Sequence, residues 1–359
     1  MCGVNVPGFL SVVSEDLFVH KAIKVFLLCL AWASGASAEA AGQQVTHEES
    51  WSGGEDSTLD VGVLKVSEGV ASSRMFASLD RILGPGGKVN GIQSFAFDER
   101  NQELYSLNLN IAKDGNRSTV NRYPLDGGES KSSQGFTKPL GSVVGHQGLG
   151  LEHLESGGIR LWSTYYKDLR QVARYSYSDG MPVGDVQVYR LFGPEYRSYV
   201  SATPTISLDQ KYLIAAGKKK GVDYQTVRVW RVADLIKEKG GDVSQAWVYE
   251  WDVKGVIGRD HPLQGIASDG SRVWIIAGNN KIDVPKRMVV YSLRGKSLDR
   301  DFNVDVGRQQ AMFDGSGKVY EPEGLAMLRV NGQVFLCVGI VSGDRGQRYA
   351  RIYKVPVQR

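Results

Sequence analysis

Short apolar runs alternate with clusters of glycine, aspartate, asparagine and serine along the chain from about Met75 to its C-terminal end. One six-residue phrase with this pattern occurs five times, as QSFAFD, QGLGLE, PTISLD, QGIASD and EGLAML, beginning at Gln93, Gln147, Pro204, Gln264 and Glu323. Successive copies begin 54 to 60 residues apart. Self-similarity with a period of this size is typical of solenoids and propellers. The pattern therefore predicts one structural unit that is repeated five times.

Further apolar runs follow each phrase. The second run is rich in β-formers, and the third carries an aromatic residue 26 to 30 residues after the start of the phrase, namely Tyr123, Tyr175, Trp230, Tyr291 and Tyr353. A fourth run, as at 185–192 and 246–253, completes most units. Four β-rich runs separated by turn residues predict four strands. A four-stranded unit that is repeated around an axis is a β-propeller blade, and the small residue at the second position of each phrase suits a strand crowded at that axis.

The two ends of the repeated region predict how the ring closes. The fifth unit reaches Arg359 directly after its third run, and an unassigned apolar run at 75–83 precedes the first phrase. An N-terminal strand that completes the last blade would remove an exposed sheet edge. We therefore predict an all-β fold, a five-bladed β-propeller at 71–359 that is closed by this N-terminal strand. The alternative is a β-sandwich in which the periodicity is accidental.

The N-terminal region has the features of a secretory signal. Two lysines precede the apolar run at 25–33, and the small residues of a cleavage site follow it at 36–38. This order predicts a signal peptide at 1–38 with cleavage after Ala38, and hence a secreted or periplasmic protein. The apolar run is too short to span a membrane. Residues 39–70 are polar and rich in glycine, serine and glutamate, and we interpret them as a flexible leader.

Charge and cysteine content narrow the choice of partners. A formal net charge of +4 is too small to indicate nucleic acid, and the lysine run at 218–220 is interpreted as a solvated hairpin tip rather than a contact with phosphate or an anionic polymer. Of three cysteines, Cys2 and Cys29 lie within the predicted signal peptide. Only Cys337 then remains, which predicts a buried thiol and no intramolecular disulfide. We separately expect the chain to be a monomer.

The candidate site lies where the loops that enter the innermost strands gather at one end of the axis. These loops concentrate polar and aromatic residues, and we select ten ligand-binding candidates from them: His146, Gln147, Tyr196, Tyr199, Arg259, Asp260, His261, Gln264, Glu321 and Glu323. Amides and carboxylates beside tyrosines suit the hydroxyl groups and apolar faces of sugars. The repeated residues Gln93, Gln147, Gln264 and Glu323 are better explained by bonds to neighbouring backbone, so the stronger candidates are the residues that do not repeat: His146, Tyr199, Arg259, His261 and Glu321.

Catalytic and metal-dependent functions have weaker support. A metal site would combine His146 and His261 with Glu321 or Glu323, but no dense ligand spacing supports it, so we expect no cofactor. The acids that end four of the phrases recur by symmetry, which favours turn capping over a catalytic pair; these are Asp98, Glu152, Asp209 and Asp269. The chain also contains no nucleophile-elbow, zinc, phosphate-loop or dinucleotide motif.

Several phrases resemble those of a known family. The segments QSFAFDERNQELY at 93–105, GHQGLGLE at 145–152 and LQGIASDGSRVW at 263–274 are similar to helveticin J-type bacteriocins. Related propellers occur in phage receptor-binding proteins and in proteins of the teichoic-acid-biosynthesis type. The resemblance implies a five-bladed propeller that acts outside the cytoplasm by binding a surface polymer. For helveticin-like members it also implies the killing of competing bacteria.

The sequence therefore favours a secreted, non-enzymatic propeller that binds a cell-surface or cell-wall glycan, with a bacteriocin-like role as one form of that function. A secreted polysaccharide hydrolase or lyase with its active site at the axis is the first alternative, and three acidic groups at one mouth of the channel would favour it. A protein-interaction scaffold is the second alternative, and a broad apolar patch on one face would favour it.

Overall fold

The computed structural model describes residues 73–80 and 91–357, except 113–114, 127, 138–139, 142–143, 317–318 and 345. The predicted signal peptide and leader lie outside these residues. Within them the chain forms five mainly antiparallel sheets and two short helices, Val232–Glu238 and Arg308–Phe313. In the part of the chain that is described, no helix has the length and apolar character needed to cross a membrane.

The strands follow the four runs that the sequence pattern predicts for each unit. In the first part of the chain they are β1 (Arg74–Leu79), β2 (Ile92–Asp98), β3 (Glu103–Ala112), β4 (Gly115–Pro124), β5 (Ser130–Lys131), β6 (Gly135–Phe136), β7 (Leu140–Gly141), β8 (Val144–His153), β9 (Ile159–Tyr165), β10 (Gln171–Ser176) and β11 (Gly184–Arg190). In the second part they are β12 (Thr203–Ile206), β13 (Tyr212–Gly217), β14 (Gln225–Arg231), β15 (Gly241–Asp242), β16 (Tyr249–Val253), β17 (Leu263–Ser268), β18 (Arg272–Ala277), β19 (Lys286–Ser292), β20 (Ser297–Val304), β21 (Tyr320–Val330), β22 (Gln333–Ser342) and β23 (Tyr349–Pro356).

These strands build five blades, each beginning with the strand that carries a repeated phrase. Blades 1 to 5 have the strand orders β2-β3-β4-β6, β8-β9-β10-β11, β12-β13-β14-β16, β17-β18-β19-β20 and β21-β22-β23-β1. Each first strand contacts the first strand of the next blade, and β21 of blade 5 contacts β2 of blade 1. The five phrases therefore line the axis of a closed ring, which confirms the predicted five-bladed propeller.

The N-terminal strand closes the ring as predicted. Strand β1 pairs antiparallel with β23, and the partners include Met75 with Tyr353 and Leu79 with Ala350. The short strand β5 then pairs in parallel with β1 and covers its outer side. Blade 5 is therefore built from both ends of the described chain, so folding of the ring requires the chain to bring these distant segments together.

Five apolar clusters fill the spaces between adjacent blades. Each cluster draws on two neighbouring sheets and contains one of the recurring aromatic residues, which confirms that these residues pack between blades: Tyr123, Tyr175, Trp230, Tyr291 and Tyr353. The thiol of Cys337 is free and buried within the cluster between blades 5 and 1, as predicted. Burial of apolar area between the sheets supplies the main stabilisation of such a ring.

Crowding at the axis explains the small residue at the second position of each phrase. A Cβ atom on Gly265 would lie 2.6 Å from the backbone nitrogen of Leu325 in the next blade. A Cβ atom on Gly148, which has a φ of +79°, would lie 2.5 Å from the backbone nitrogen of Pro204. Real Cβ atoms do not approach backbone so closely, so glycine allows the innermost strands of neighbouring blades to pack together.

The acids at the ends of the phrases do not share a single role. Asp98, Asp209 and Asp269 accept hydrogen bonds from backbone N–H groups two or three residues ahead, which confirms turn capping at these positions. Glu152 instead pairs with two side chains of its own blade. His153 belongs to blade 2 and contacts blade 1, since its Nε2 lies 2.9 Å from the buried carboxylate of Asp98.

Candidate functional site

The connections at one end of the propeller form a continuous surface, which we call the axial face. Since successive strands of a blade run in opposite directions, the loop entering the first strand and the turn between the second and third strands lie at the same end. Backbone contacts join them: Tyr196 bridges to Lys219, and Gly278 donates to Pro262. This is the end at which sequence reasoning places the ligand-binding candidates.

Polar side chains from four blades meet at the axis on this face. We call them the axial cluster: Gln93, Gln147, Gln264, Glu321 and Glu323. The amide nitrogen of Gln147 donates to Oε1 of Gln264 at 3.1 Å, and the amide nitrogen of Gln264 lies 3.5 Å from Oε1 of Glu321. The amide nitrogen of Gln93 donates to Oε1 of Glu323 at 3.2 Å. Because Gln147 and Gln264 belong to blades that are not neighbours, their hydrogen bond crosses the axis.

The repeated residues of the axial cluster therefore bond mainly to one another. Backbone bonds of the kind the sequence suggests are also present, since Gln264 donates to the carbonyl of Gly278 at 3.0 Å and Gln93 to the carbonyl of Ile92 at 3.4 Å. Glu321 and Glu323 flank Pro322 on strand β21, where the pairing with β22 is interrupted by a bulge, and the charge of Glu321 acts on Glu323. Symmetry thus places four of the five members, and Glu321 joins them from the same strand as Glu323.

The two carboxyl groups lie in an environment that disfavours their charge. Burial raises the pKa of Glu321, and burial together with the charge of Glu321 raises the pKa of Glu323 well above its ordinary value. The side chain of Glu323 is only 6% exposed, and its Oε2 has no hydrogen-bond partner. Lys286 is fully buried nearby and burial lowers its pKa to about 8, but its ammonium donates to the carbonyls of Lys281 and Val284 at 2.7 and 2.8 Å.

His146 lies beside the axis in a strained backbone conformation. Its φ is +99°, which is rare for a residue with a side chain. Nδ1 of the ring is 3.0 Å from the hydroxyl of Ser201 in the loop entering blade 3, and Tyr166 packs edge-on at 6.3 Å between ring centres. Strain of this kind persists where surrounding contacts hold it and is common at binding sites.

Titration of His146 should report this environment. Burial lowers the pKa of the imidazole below its ordinary 6.5, so we expect its NMR signals to titrate at a lower pH than those of a free histidine. The signals are assigned by their loss in His146→Asn, since asparagine tolerates a positive φ. Because the pKa of His146 is lower in the folded state, that state binds the proton more weakly than the unfolded state does. The free energy of unfolding should therefore fall as pH drops below 6.5. A midpoint at or above 6.5 would contradict the buried setting.

An exposed aromatic and two cations lie on the loops of blade 3, and we call them the exposed cluster: Arg197, Tyr199 and Lys218. The ring of Tyr199 is 63% exposed. Arg197 donates to the tyrosine hydroxyl at 3.0 Å and its guanidinium lies 5.8 Å from the ring centre. Burial and the charge of Arg197 lower the pKa of Lys218. Two neighbouring cations that repel one another favour an anionic or strongly hydrogen-bonding ligand.

The other candidates occupy separate places. Tyr196 is 1% exposed and packs between Phe192 and the guanidinium of Arg228. It is therefore a packing residue beneath the axial face and is not accessible to a ligand. Arg259 and Asp260 are exposed, while Nε2 of His261 lies 3.1 Å from the carbonyl of Pro285. Sequence reasoning missed Arg197, whose only signal was its position two residues before Tyr199.

The three lysines at 218–220 lie in three different environments. Lys218 donates to the carbonyl of Asp223 at 3.2 Å, and Lys219 lies 3.4 Å from the carboxylate of Glu250. Lys220 is exposed. The interpretation as a solvated tip therefore fits Lys220, whereas Lys218 faces Arg197 and belongs to the exposed cluster.

Neither a histidine metal site nor a catalytic triad of acids is assembled in the described part of the chain. His146 and His261 have separate partners, and no three His, Cys, Asp or Glu side chains among the described residues are grouped to hold a metal ion. Glu321 and Glu323 bring two carboxyl groups to the axis from one strand. The described residues of the axial cluster include no third acid.

Comparison with known proteins gives the family. The chain belongs to the family of phage five-bladed β-propeller receptor-binding platform domains, whose model matches residues 91–354. It is 26% identical over 278 residues to a protein of Bacillus subtilis (strain 168) that bears the name "Putative major teichoic acid biosynthesis protein C". That match covers 73% of this chain and 58% of the relative, so the chain spans less than two thirds of the relative's length.

A solved phage tail fibre agrees on the fold. The tail fibre of Staphylococcus aureus phage P68 superposes with a TM-score of 0.58 and 18% identity, covering 79% of this chain and 52% of the fibre chain. An α-L-arabinofuranosidase from Podospora anserina, solved in complex with cellotriose, reaches a TM-score of 0.44 with 9% identity, covering 80% of this chain and 99% of the enzyme.

Proposed function

We propose that this protein binds a cell-surface or cell-wall glycan through its axial face. The observation that carries the proposal is the exposed cluster, in which Arg197 holds the ring of Tyr199 outward beside Lys218. The family's description as a receptor-binding domain and the relative's name, which refers to teichoic acid, both support a surface polymer as the ligand.

The chemistry of the exposed cluster suits such a polymer. An open tyrosine ring offers an apolar surface for the C–H face of a sugar, while the guanidinium and ammonium groups donate hydrogen bonds to hydroxyl or acidic groups. Tyr199 is already oriented by Arg197, so little rotamer freedom is lost when a ligand stacks on it. Closer to the axis, His146 and Ser201 provide further polar groups for other parts of a bound glycan.

The proposed place of action rests on the N-terminal sequence. We propose that the signal peptide at 1–38 directs the protein out of the cytoplasm, where a surface glycan is accessible. A bacteriocin-like role is the finer form of the proposal and is supported by the resemblance of the phrases at 93–105, 145–152 and 263–274. Growth inhibition of neighbouring bacteria by the purified protein would test that finer form separately from binding.

Substitution of the exposed cluster tests the binding proposal. Tyr199→Ala and Arg197→Ala should each weaken binding to isolated cell walls, and to any positive spot on a glycan array, by about 10-fold, which corresponds to about 1.4 kcal/mol. Phe136→Ala is the matched control, because Phe136 is a similarly open ring, 52% exposed, on the outer strand of blade 1. The proposal fails if the chain binds no surface polymer, or if the two variants bind as well as the control.

The hydrolase and scaffold alternatives have less support from the described residues. Glu321 and Glu323 come from one strand, hydrogen-bond with glutamine amides and lie in surroundings that raise the pKa of both. Met312 and Phe313 are adjacent exposed apolar residues, 57% and 78% exposed, but they form a small patch. Incubation with polysaccharides should therefore release no reducing ends or unsaturated products; release that is lost in Glu321→Gln would favour the enzyme.

A further inference from the structure

We propose that the axial cluster binds one calcium ion between the carboxylates of Glu321 and Glu323 and the amide oxygens of Gln93 and Gln147. This site is separate from the exposed cluster, and it concerns the stability of the ring rather than recognition of a glycan. Four of the five blades contribute side chains to the axial cluster, so an ion held there would link parts of the ring that are far apart in sequence.

Among the described residues, the carboxylates of the axial cluster form no direct ion pair with a basic side chain. Lys286 and Arg348 are the nearby basic groups that act on Glu321. Each is engaged elsewhere: Lys286 donates to two backbone carbonyls and also faces the ring of Tyr320 at 4.9 Å, while Arg348 donates to the carbonyl of Gly343. Two acids that face one axis without an ion pair carry a large desolvation cost.

A buried oxygen without a partner marks the position where the ion would bind. Oε1 of Glu323 accepts a hydrogen bond from Gln93, but its Oε2 is buried and has no donor within reach. An unsatisfied buried acceptor costs free energy, so its retention in a native core indicates an unseen partner. The side chain is 94% enclosed, because only 6% of its surface is exposed, and strand β21 directs it towards the axis.

The surrounding amides have free acceptors to complete the site. In the hydrogen bonds of Gln93 and Gln147 the amide nitrogen is the donor, which leaves the carbonyl oxygen of each side chain without a described partner. Oε1 of Gln264 is already occupied, because it accepts a hydrogen bond from the amide nitrogen of Gln147. The axial cluster thus combines carboxylate and amide oxygens that hydrogen bonds connect across the axis.

The donor set selects a hard cation. Oxygen ligands without histidine or cysteine favour calcium or magnesium over zinc, copper or iron. Calcium accepts six to eight oxygens in an irregular geometry, whereas magnesium demands a near-ideal octahedron and gives up its water slowly. Carboxylates from one strand and amides from opposite sides of a channel form an irregular set, so calcium fits better.

Calcium binding should stabilise the full chain. After removal of metal with a chelator, equilibrium dialysis should recover one calcium ion per chain, and the melting temperature should rise with added calcium. At a calcium concentration 100 times the Kd, the folded-to-unfolded ratio increases about 100-fold by mass action. Magnesium at the same concentration should give a clearly smaller rise.

The matched variants are Glu323→Gln and Glu155→Gln, since Glu155 is an exposed acid at the opposite end of blade 2. We expect Glu323→Gln to lose the calcium response and Glu155→Gln to keep it. Equilibrium dialysis of the unmodified chain measures the calcium bound per chain even if Glu323→Gln fails to fold. Absence of bound calcium, an unchanged melting temperature, an equal response to magnesium, or a full response in Glu323→Gln would each overturn the proposal. Because glycan binding is measured on Tyr199, either proposal can fail without the other.

Discussion

Ala77→Asp should prevent the chain from forming a stable propeller. Ala77 is 0% exposed in strand β1, where it pairs with Ile352 and packs in the cluster between blades 5 and 1. A carboxylate at this position would be buried without a partner, and the strand would leave β23 to escape that cost. We expect a loss of at least about 4 kcal/mol in the free energy of unfolding, which is a large share of the stability of a typical domain.

The measurement is urea unfolding followed by far-ultraviolet circular dichroism. Ser78→Asp is the control, because it introduces the same residue one position along the same strand, where the side chain is half-buried and faces the other side. The control should lose no more than about 1 kcal/mol. If Ala77→Asp unfolds at the same urea concentration as the control, β1 does not close the ring.

Glu152→Ala should give the second large effect. The carboxylate of Glu152 accepts hydrogen bonds from Nε and Nη2 of Arg174, both at 2.7 Å, and from the indole N–H of Trp162 at 2.8 Å. Arg174 is 8% exposed and Trp162 is 0% exposed. Removal of the acid therefore leaves a buried guanidinium without its counter-charge, and we expect a loss of about 3–5 kcal/mol in the free energy of unfolding.

Two further variants separate loss of the ion pair from loss of side-chain volume. Glu155→Ala removes an exposed glutamate from the neighbouring turn and should change stability by less than about 0.5 kcal/mol. Arg174→Met added to Glu152→Ala removes the unpaired charge and should recover a substantial part of the loss. Equal stability of Glu152→Ala and Glu155→Ala would show that the pair is not coupled to folding.

Local patterns predicted the parts of this protein that repeat. The phrases became the innermost strands, the recurring aromatics became the contacts between blades, and the run at 75–83 supplied the strand that closes the ring. Strand period, turn residues and a constant spacing act over short distances, and all of them are visible along one chain. Glu152 shows the limit of symmetry, since it occupies a capping position but pairs with Arg174.

The site depended much more on tertiary structure. Tyr196 and Tyr199 have similar sequence surroundings, yet one is enclosed and the other is 63% exposed. The backbone bridge between the loop and the turn of blade 3 decides which ring faces outward. The pairing of His153 with Asp98 likewise joins different blades and has no local signal.

The sequence by itself determined a five-bladed ring, its closure and the end at which its polar loops gather. Only the tertiary structure decided that Gln147 donates to Gln264 across the axis, 117 residues away, and that Glu323 holds a buried oxygen without a partner. The physical reason is that strands form from short-range preferences, whereas contacts at the axis arise from the curvature of a closed ring. That curvature brings together side chains whose spacing along the chain carries no information about their contact.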